Sequence, residues 1–362
     1  MPELIFTTII CFYFSFLILI TIGLRKKFPR TQSGDLPTAT IIVAARNEEK
    51  NIGHCLDSIS KLNYQEGKLE IIIVDDFSED NTGSIIEEFI KGKPLFRKIT
   101  PDINSGLIGK VNAVASAIKK ANGEIILLTD ADCIVSESWA ETIASYYQKN
   151  VGIVNGFTVL DNDKLFSGVQ SVDLIFLLSS AAGTINLNYP ISCIGNNMSF
   201  RKEAYIEAGG YEKLPFSVTE DFMLLKGISE LKKYKIIYPL DNKAVVSSKS
   251  CPDLNELIKQ KKRWGRGGFN APYGGMAIMG TAFLANLMIL LSPLFFSTVW
   301  LYLAVFKIIA DYFFLFPVHN ELGTRLRVKY FVFFQIYFIL YTVILPLTLF
   351  FSRKISWKGR NY

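Results

Sequence analysis

Two aspartates, Asp130 and Asp132, close the run IILLTDADC at residues 125–133. The four apolar residues ahead of them read as a strand buried on both faces, which delivers both carboxylates to its carboxyl end. Two acids so close repel each other and raise a pKa unless a cation stands beside them. Oxygen donors of this kind suit Mg2+ or Mn2+, ions that take few protein carboxylates and complete their shell with substrate phosphates. The plain alternative is a solvated turn that caps the following helix, and the pair alone does not choose between the two.

Further acids follow the same pattern. The stretch VDDFSEDNT (74–82) places Asp75 and Asp76 at a second strand end, while VAARNEE (43–49) runs a first strand into a polar loop and helix. Three strand ends thus converge on one mouth, two of them acidic. Asp80, Asn81 and Thr82 read as helix N-capping. In SVTEDFMLLKGISELKK (217–233), Thr219 is expected to cap a helix, with Glu220 and Asp221 in the first turn, where the dipole favours acids. The chemical reading makes one of those two a general base. Only His54 and His319 are present, so a base is expected to be a carboxylate. LIKQKKRWGRGG (257–268) reads as a basic, tryptophan-anchored helix at a membrane surface. It equally offers Arg263 to a diphosphate and Trp264 to an apolar or sugar face.

The elements that must hold these groups follow from periodicity. Residues 38–45, 69–76, 124–130 and 151–157 are strand-like, and 48–62, 81–92 and 110–121 carry helical spacing. Alternation of this kind predicts an α/β domain with a mostly parallel sheet, whose ligands bind at the carboxyl ends of the strands. The chain is 50% hydrophobic and 20% charged, with a mean hydropathy of +0.27, which predicts part soluble domain and part bilayer. Residues 4–24 carry no charge and are long enough to cross. Residues 275–316 suffice for two spans meeting near Ser292–Pro293, and 329–351 for another. Asp173 and many small residues make 166–185 a buried or interface-lying helix rather than a span. Arg25, Lys26, Lys27 and Arg30 put everything after residue 25 in the cytoplasm. Three later crossings would then leave the basic tail outside, so one of them is expected to re-enter or lie in the interface, with the tail cytoplasmic. The net charge of +6 sits in such membrane-flanking clusters and does not call for nucleic acid, while five scattered cysteines suggest neither disulfides nor zinc. The expected organisation is an anchor (1–25), a cytoplasmic catalytic domain (38–250), an interfacial helix (253–270), transmembrane or interfacial helices (275–351) and a basic tail (352–362).

Taken in order, VAARNEEKNI, EIIIVDDFSEDNT, GKVNA, LLTDADC, GNNMSFRK, TEDFML and QKKRW resemble the inverting, membrane-bound family 2 glycosyltransferases, the group of cellulose, chitin and hyaluronan synthases and ceramide glucosyltransferase. The resemblance spans about 38–270 and implies a GT-A (Rossmann-like) domain joined to transmembrane and interfacial helices. It implies that Ala45, Arg46, Glu48 and Asp76 line the base and ribose of a nucleotide, with Lys110 near it. Asp130 and Asp132 would hold the diphosphate, Asp132 through the metal. Asn196, Asn197 and Arg201 would border donor sugar and acceptor. Asp221 matches the catalytic base, with Glu220 beside it, and Gln260, Arg263 and Trp264 match the motif that closes over diphosphate and acceptor.

The expected chemistry is inverting transfer of one sugar from a nucleotide-sugar, by resemblance a UDP-sugar, to a membrane lipid, giving a β-linked glycolipid at a bacterial cytoplasmic membrane. At most four spans are legible, too few for an obvious channel, which favours a lipid acceptor over a processive polysaccharide synthase. An inactive scaffold homologue is a third reading, opposed by the presence of every motif position. A polyprenyl-phosphate sugar synthase is a fourth, opposed by QKKRW and GNNMSF.

Overall fold

The computed structural model describes the chain except residues 216, 269–270, 296, 352–355, 358–359 and 362, so the expectation for the basic tail falls largely outside the described residues. The described chain divides into two compact units.

One unit, residues 26–159 and 193–249, is built on a seven-stranded sheet. Its strands are β1 (Ala39–Ala45), β2 (Leu69–Asp75), β3 (Phe96–Ile99), β4 (Ile125–Asp130), β6 (Val151–Asn155), β8 (Met198–Arg201) and β9 (Lys235–Ile237), in the order β3-β2-β1-β4-β8-β6-β9. A small second sheet joins β5 (Ile134–Val135), β10 (Val246–Ser248) and β7 (Thr158–Leu160). The middles of β1, β2 and β4 (residues 41–43, 71–74 and 125–128) are apolar runs buried on both faces, as a parallel sheet covered by helices demands. The crossovers are α2 (Ile52–Ser60), α3 (Thr82–Ile90) and α4 (Gly109–Lys120), followed by α5 (Trp139–Ser145). Ile41, Val43, Ile71, Ile73 and Leu127 pack with Ile52, Leu56, Ile59 and Trp139 in one core.

Register decides where the chemistry lies. β1 pairs in parallel with β2 (Ala45 opposite Asp75) and with β4 (Ala44 opposite Asp130), so the three carboxyl ends are level. The chain winds outward from β1 to β2 and β3, then returns to lay β4 on the other side of β1. That reversal is the switch point where doubly wound sheets open a crevice. β8 runs antiparallel to β4, a direction its sequence does not reveal. α7 (Lys202–Glu207), α8 (Gly210–Lys213) and α9 (Glu220–Glu230) complete the unit.

The other unit, residues 1–25, 160–192 and 250–362, is mostly helical among its described residues, with one short antiparallel pair, β11 (Ser356–Trp357) and β12 (Arg360–Asn361). It holds α1 (Pro2–Leu24), α6 (Leu165–Asn186), α10 (Leu254–Gly268), α11 (Tyr273–Leu290), α12 (Thr298–Glu321) and α13 (Val328–Phe351). All but α10 are long and apolar enough to cross a membrane, five helices among the described residues where the sequence suggested four. The fifth is α6. Its most apolar window is 78% buried within the chain, against 17% for α11, so α6 faces protein along most of its length. α1 meets it at two glycines: a Cβ on Gly23 would stand 1.9 Å from the Gly183 oxygen, a separation that forbids any side chain there. A buried polar network ties three helices together. Tyr13 Oη donates to Asp311 Oδ1 (2.6 Å), Lys307 pairs with Asp311 Oδ2 (2.8 Å), and Gln335 Nε2 donates to the same oxygen (2.9 Å). In apolar surroundings such groups must satisfy one another, and these do.

Candidate active site

Asp130 ends β4 and Asp132 follows in the turn. The cation that their proximity demands is Lys110, in the first turn of α4: its Nζ donates to Asp130 Oδ1 at 2.6 Å. The same ammonium lies 3.5 Å from Glu220 Oε1, at the start of α9. Burial by itself would lower the lysine pKa, but Asp130, Glu220 and Asp221 outweigh it and hold the group above its ordinary value, so it stays charged. One lysine thereby joins the strand-end acids to the helix-start acids.

The negative field reaches the neighbouring thiols. Burial, then Asp132, Asp130 and Glu48, push the Cys55 thiol up, and burial with the same two aspartates does so for Cys133. Cys133 Sγ lies 3.5 Å from Asp132 Oδ1, and Cys55 Sγ lies 3.5 Å from the Asp130 carbonyl. Carboxylate donors in such a field fit a hard divalent cation. No group of three or more His, Cys, Asp or Glu able to hold a metal is present among the described residues. An ion here would draw most of its ligands from phosphate and water, as Mg2+ does at nucleotide sites.

Asp221 stands in the first turn of α9, where its Oδ1 accepts from Phe222 N (2.8 Å). Thr219 is the N-cap by position, yet its hydroxyl pairs with Ser217 Oγ (3.0 Å) and makes no capping bond. Gly195 closes against Asp221: a Cβ there would lie 3.2 Å from Asp221 Oδ2. Gly195 was legible only as part of GNNMSF, and its role as the floor under Asp221 needed the fold.

The loops after β1 and β2 form the other flank. Asp76 N donates to the Ala45 carbonyl (2.8 Å), and Arg46 Nη1 donates to the carbonyls of Asp76 (2.8 Å) and Phe77 (3.0 Å). Arg46 also pairs with Glu79 (3.0 Å), and Glu48 N donates to Thr82 Oγ1 (2.7 Å) while its carboxylate accepts from Asn51 (2.7 Å). Ala45, Arg46, Glu48 and Asp76 therefore form one laced loop pair. Asp80, rather than Asn81, receives the Thr82 N–H at the start of α3 (2.9 Å).

Three expected sugar-site residues hold internal hydrogen bonds. Asn197 is buried, its Oδ1 accepting from Trp139 Nε1 (3.0 Å) and its Nδ2 donating to the carbonyls of Phe157 (2.7 Å) and Ala244 (2.9 Å). Asn196 accepts from Thr158 Oγ1 (2.7 Å) and reaches Cys133 Sγ (3.5 Å), so it buttresses the turn that carries Asp132. Arg201 lies farther off. Antiparallel pairing sets it opposite Ile125, at the start of β4, about 17 Å along the strand from Asp130. There it pairs with Glu124 and donates to the Val151 and Gln148 carbonyls. Gln260, Arg263 and Trp264 lie on α10 in the helical unit, half-buried. Between them, Lys261 is buried against Asp173 of α6, with its ammonium 4.7 Å from the Trp264 ring centre.

Comparison with known proteins adds three findings. The model described as Glycosyl transferase family 2 matches residues 40–209, and that described as Glycosyl transferase family group 2 matches residues 125–352. The probable glycosyltransferase YdaM of Bacillus subtilis is 28% identical over 250 residues, which is 66% of this chain and 57% of that protein. A poly-beta-1,6-N-acetyl-D-glucosamine synthase of Staphylococcus aureus is 29% identical over 266 residues, 71% of this chain and 60% of that protein. The chain thus spans less than two thirds of the length of these curated relatives. Among solved structures, the mannosyltransferase PcManGT of Pyrobaculum calidifontis, in complex with GDP-Man and Mn2+, shares the fold: TM-score 0.62, 19% identity, covering 97% of this chain and 99% of that one.

Proposed function

The chain belongs to glycosyl transferase family group 2, and from that premise we propose that it transfers a sugar from a nucleoside-diphosphate sugar, a UDP-sugar, to a hydroxyl of a membrane lipid, with inversion at the anomeric carbon. The observation that carries the proposal is the Lys110 bridge, which gathers Asp130, Glu220 and Asp221 at the switch point of the sheet. Such a site needs both a place for a leaving diphosphate and a base for an incoming hydroxyl.

Asp130 and Asp132 are the residues that would hold Mg2+ or Mn2+, which supplies charge neutralisation for the departing diphosphate when bound. Lys110 keeps the acid cluster compact while the donor is absent and remains charged beside the diphosphate. Asp221, with Oδ1 fixed by Phe222 N and its other side walled by Gly195, takes the acceptor proton as the hydroxyl attacks. A single displacement converts an α-linked donor into a β-linked product. Gln260, Arg263 and Trp264 enter the proposal on their motif alone, as the groups that meet diphosphate and acceptor. Five apolar helices support a multi-pass membrane protein, and the basic residues that follow α1 favour a cytoplasmic catalytic unit made of residues 38–250 apart from α6.

A second reading, a synthase that extends a β-linked polysaccharide, is favoured by the names of the curated relatives. One experiment separates the two. The full chain in detergent with native lipid extract receives UDP- and GDP-sugars with Mn2+ or Mg2+, beside Asp221→Asn. Metal-dependent nucleotide release that Asp221→Asn abolishes, with one sugar added to a lipid, is the expected result. A polymer ladder favours the synthase, and release that survives in Asp221→Asn overturns the assignment of the base.

A further inference from the structure

The loop after β2 contains a backbone anomaly that the proposed chemistry leaves unused. Phe77 has φ +54°, the left-handed region that glycine enters freely and a bulky L-residue enters only at a steric cost. Such strain persists where something over-determines it and clusters at functional sites. The local hydrogen bonds explain the turn but not the residue. Arg46 Nη1 donates to the Phe77 carbonyl, Ser78 N donates to Asp75 Oδ1 (3.1 Å), and Asn47 N donates to Ser78 Oγ (3.1 Å). Every one of those bonds would survive with glycine at 77. The phenylalanine contributes only its ring, and the residue is 48% exposed, so core packing does not repay the strain.

Position along the sheet edge says what would. In order, the edge carries the Phe77 loop after β2, the end of β1, Asp130 at the end of β4, and then Gly195 with Asp221 beside β8. The diphosphate ligands therefore lie in the middle and the base for the acceptor on one side. The remaining side, two strand spacings or about 10 Å from Asp130, is left for the nucleoside. A flat apolar ring there matches the π-face of a nucleobase, a stacking contact that needs no hydrogen-bond partner.

We propose that Phe77 is the stacking platform for the nucleobase of the sugar donor, held in a strained backbone for that purpose. The inference rests on the nucleotide-sugar reading given above and deepens it. The test uses the full chain in detergent with Mn2+, titrated calorimetrically with UDP, with GDP and with inorganic pyrophosphate, for the native protein, Phe77→Gly and Phe77→Trp. Thermal unfolding of each is measured without nucleotide.

In Phe77→Gly the expected result is nucleoside diphosphate binding weakened about 5- to 100-fold, the range lost with one base–aromatic stack. Pyrophosphate binding is expected to be unchanged and the unfolding midpoint to rise by about 1–3 °C as strain is released. Phe77→Trp is expected to keep or tighten nucleotide binding. Unchanged nucleotide affinity in Phe77→Gly overturns the proposal. So does equal weakening of pyrophosphate, which would indicate a collapsed loop, and so does a lower midpoint, which would make the ring a packing residue. If the native protein binds pyrophosphate but neither nucleotide, the nucleotide-sugar reading itself falls, and this inference with it.

Discussion

Replacing Lys110 with methionine tests whether the acids of the site are held together by one internal cation. Nζ lies 2.6 Å from Asp130 and 3.5 Å from Glu220. At an effective dielectric of about 20 these separations correspond to roughly 6 and 5 kcal/mol of gross attraction. Dehydration of the lysine offsets much of that, and Asp130, with 34% of its side chain exposed, is partly screened by solvent. A net loss of about 1–3 kcal/mol remains, or about 2–12 °C in the unfolding midpoint at roughly 2–4 °C per kcal/mol. The pH dependence carries the sign. In the native protein the lysine pKa is raised, so its contribution is complete below about 10.4 and is lost only as pH climbs through the folded value. Across pH 5–8 that contribution is constant. Without the lysine, the like charges of the clustered carboxylates repel one another, and binding a proton or a cation relieves them. The midpoint deficit of Lys110→Met is therefore largest near pH 8 and shrinks toward pH 5. Mn2+ substitutes for the missing charge, so it raises the variant's midpoint by more than the native protein's. Differential scanning fluorimetry at several pH values, with and without Mn2+, reads both effects. A deficit that is the same at pH 5 and pH 8 and indifferent to Mn2+ would refute the idea that Lys110 acts as counter-ion to the acids.

Three further outcomes follow from the geometry. Gly195→Ala puts a Cβ 3.2 Å from Asp221 Oδ2; a displacement of a few tenths of an ångström is expected to lower kcat by about 3- to 10-fold with KM for the donor nearly unchanged, measured by nucleotide release. Arg201→Met removes an ion pair and two carbonyl partners at the far end of β4, so stability falls by about 1–3 kcal/mol while nucleotide release per folded molecule stays within about twofold. Lys261→Met strands a buried carboxylate on Asp173 and is expected to destabilise the helical unit by about 3–5 kcal/mol, with much of the loss recovered in the double variant carrying Asp173→Asn, as followed by thermal unfolding in detergent.

Much of this protein is written locally. Apolar runs such as IILLTD and IIIVDD must be buried strands, and their carboxyl ends must carry the acids that follow. The alternation of those runs with amphipathic segments dictates a wound α/β sheet, and long uncharged stretches dictate apolar helices. These features depend on neighbours in sequence, so periodicity reveals them. What the tertiary structure decided involves partners distant along the chain. Lys110 answers the repulsion between Asp130 and its neighbours from twenty residues upstream, because the β3–β4 crossover brings the start of α4 to the end of β4. The GNNMSFR motif divides: its glycine closes against Asp221, Asn196 and Asn197 hold internal hydrogen bonds, and Arg201 goes to the opposite edge. The physical reason is strand direction. A seven-residue motif laid antiparallel to β4 spans the height of the sheet, so only one of its ends stands at the site, and nothing in the order of its residues says which. The sign of a backbone dihedral is equally silent. No composition rule marks Phe77 as left-handed, because the hydrogen bonds that hold it there come from Arg46, Asp75 and the loop after β1, assembled only when β1 and β2 lie side by side.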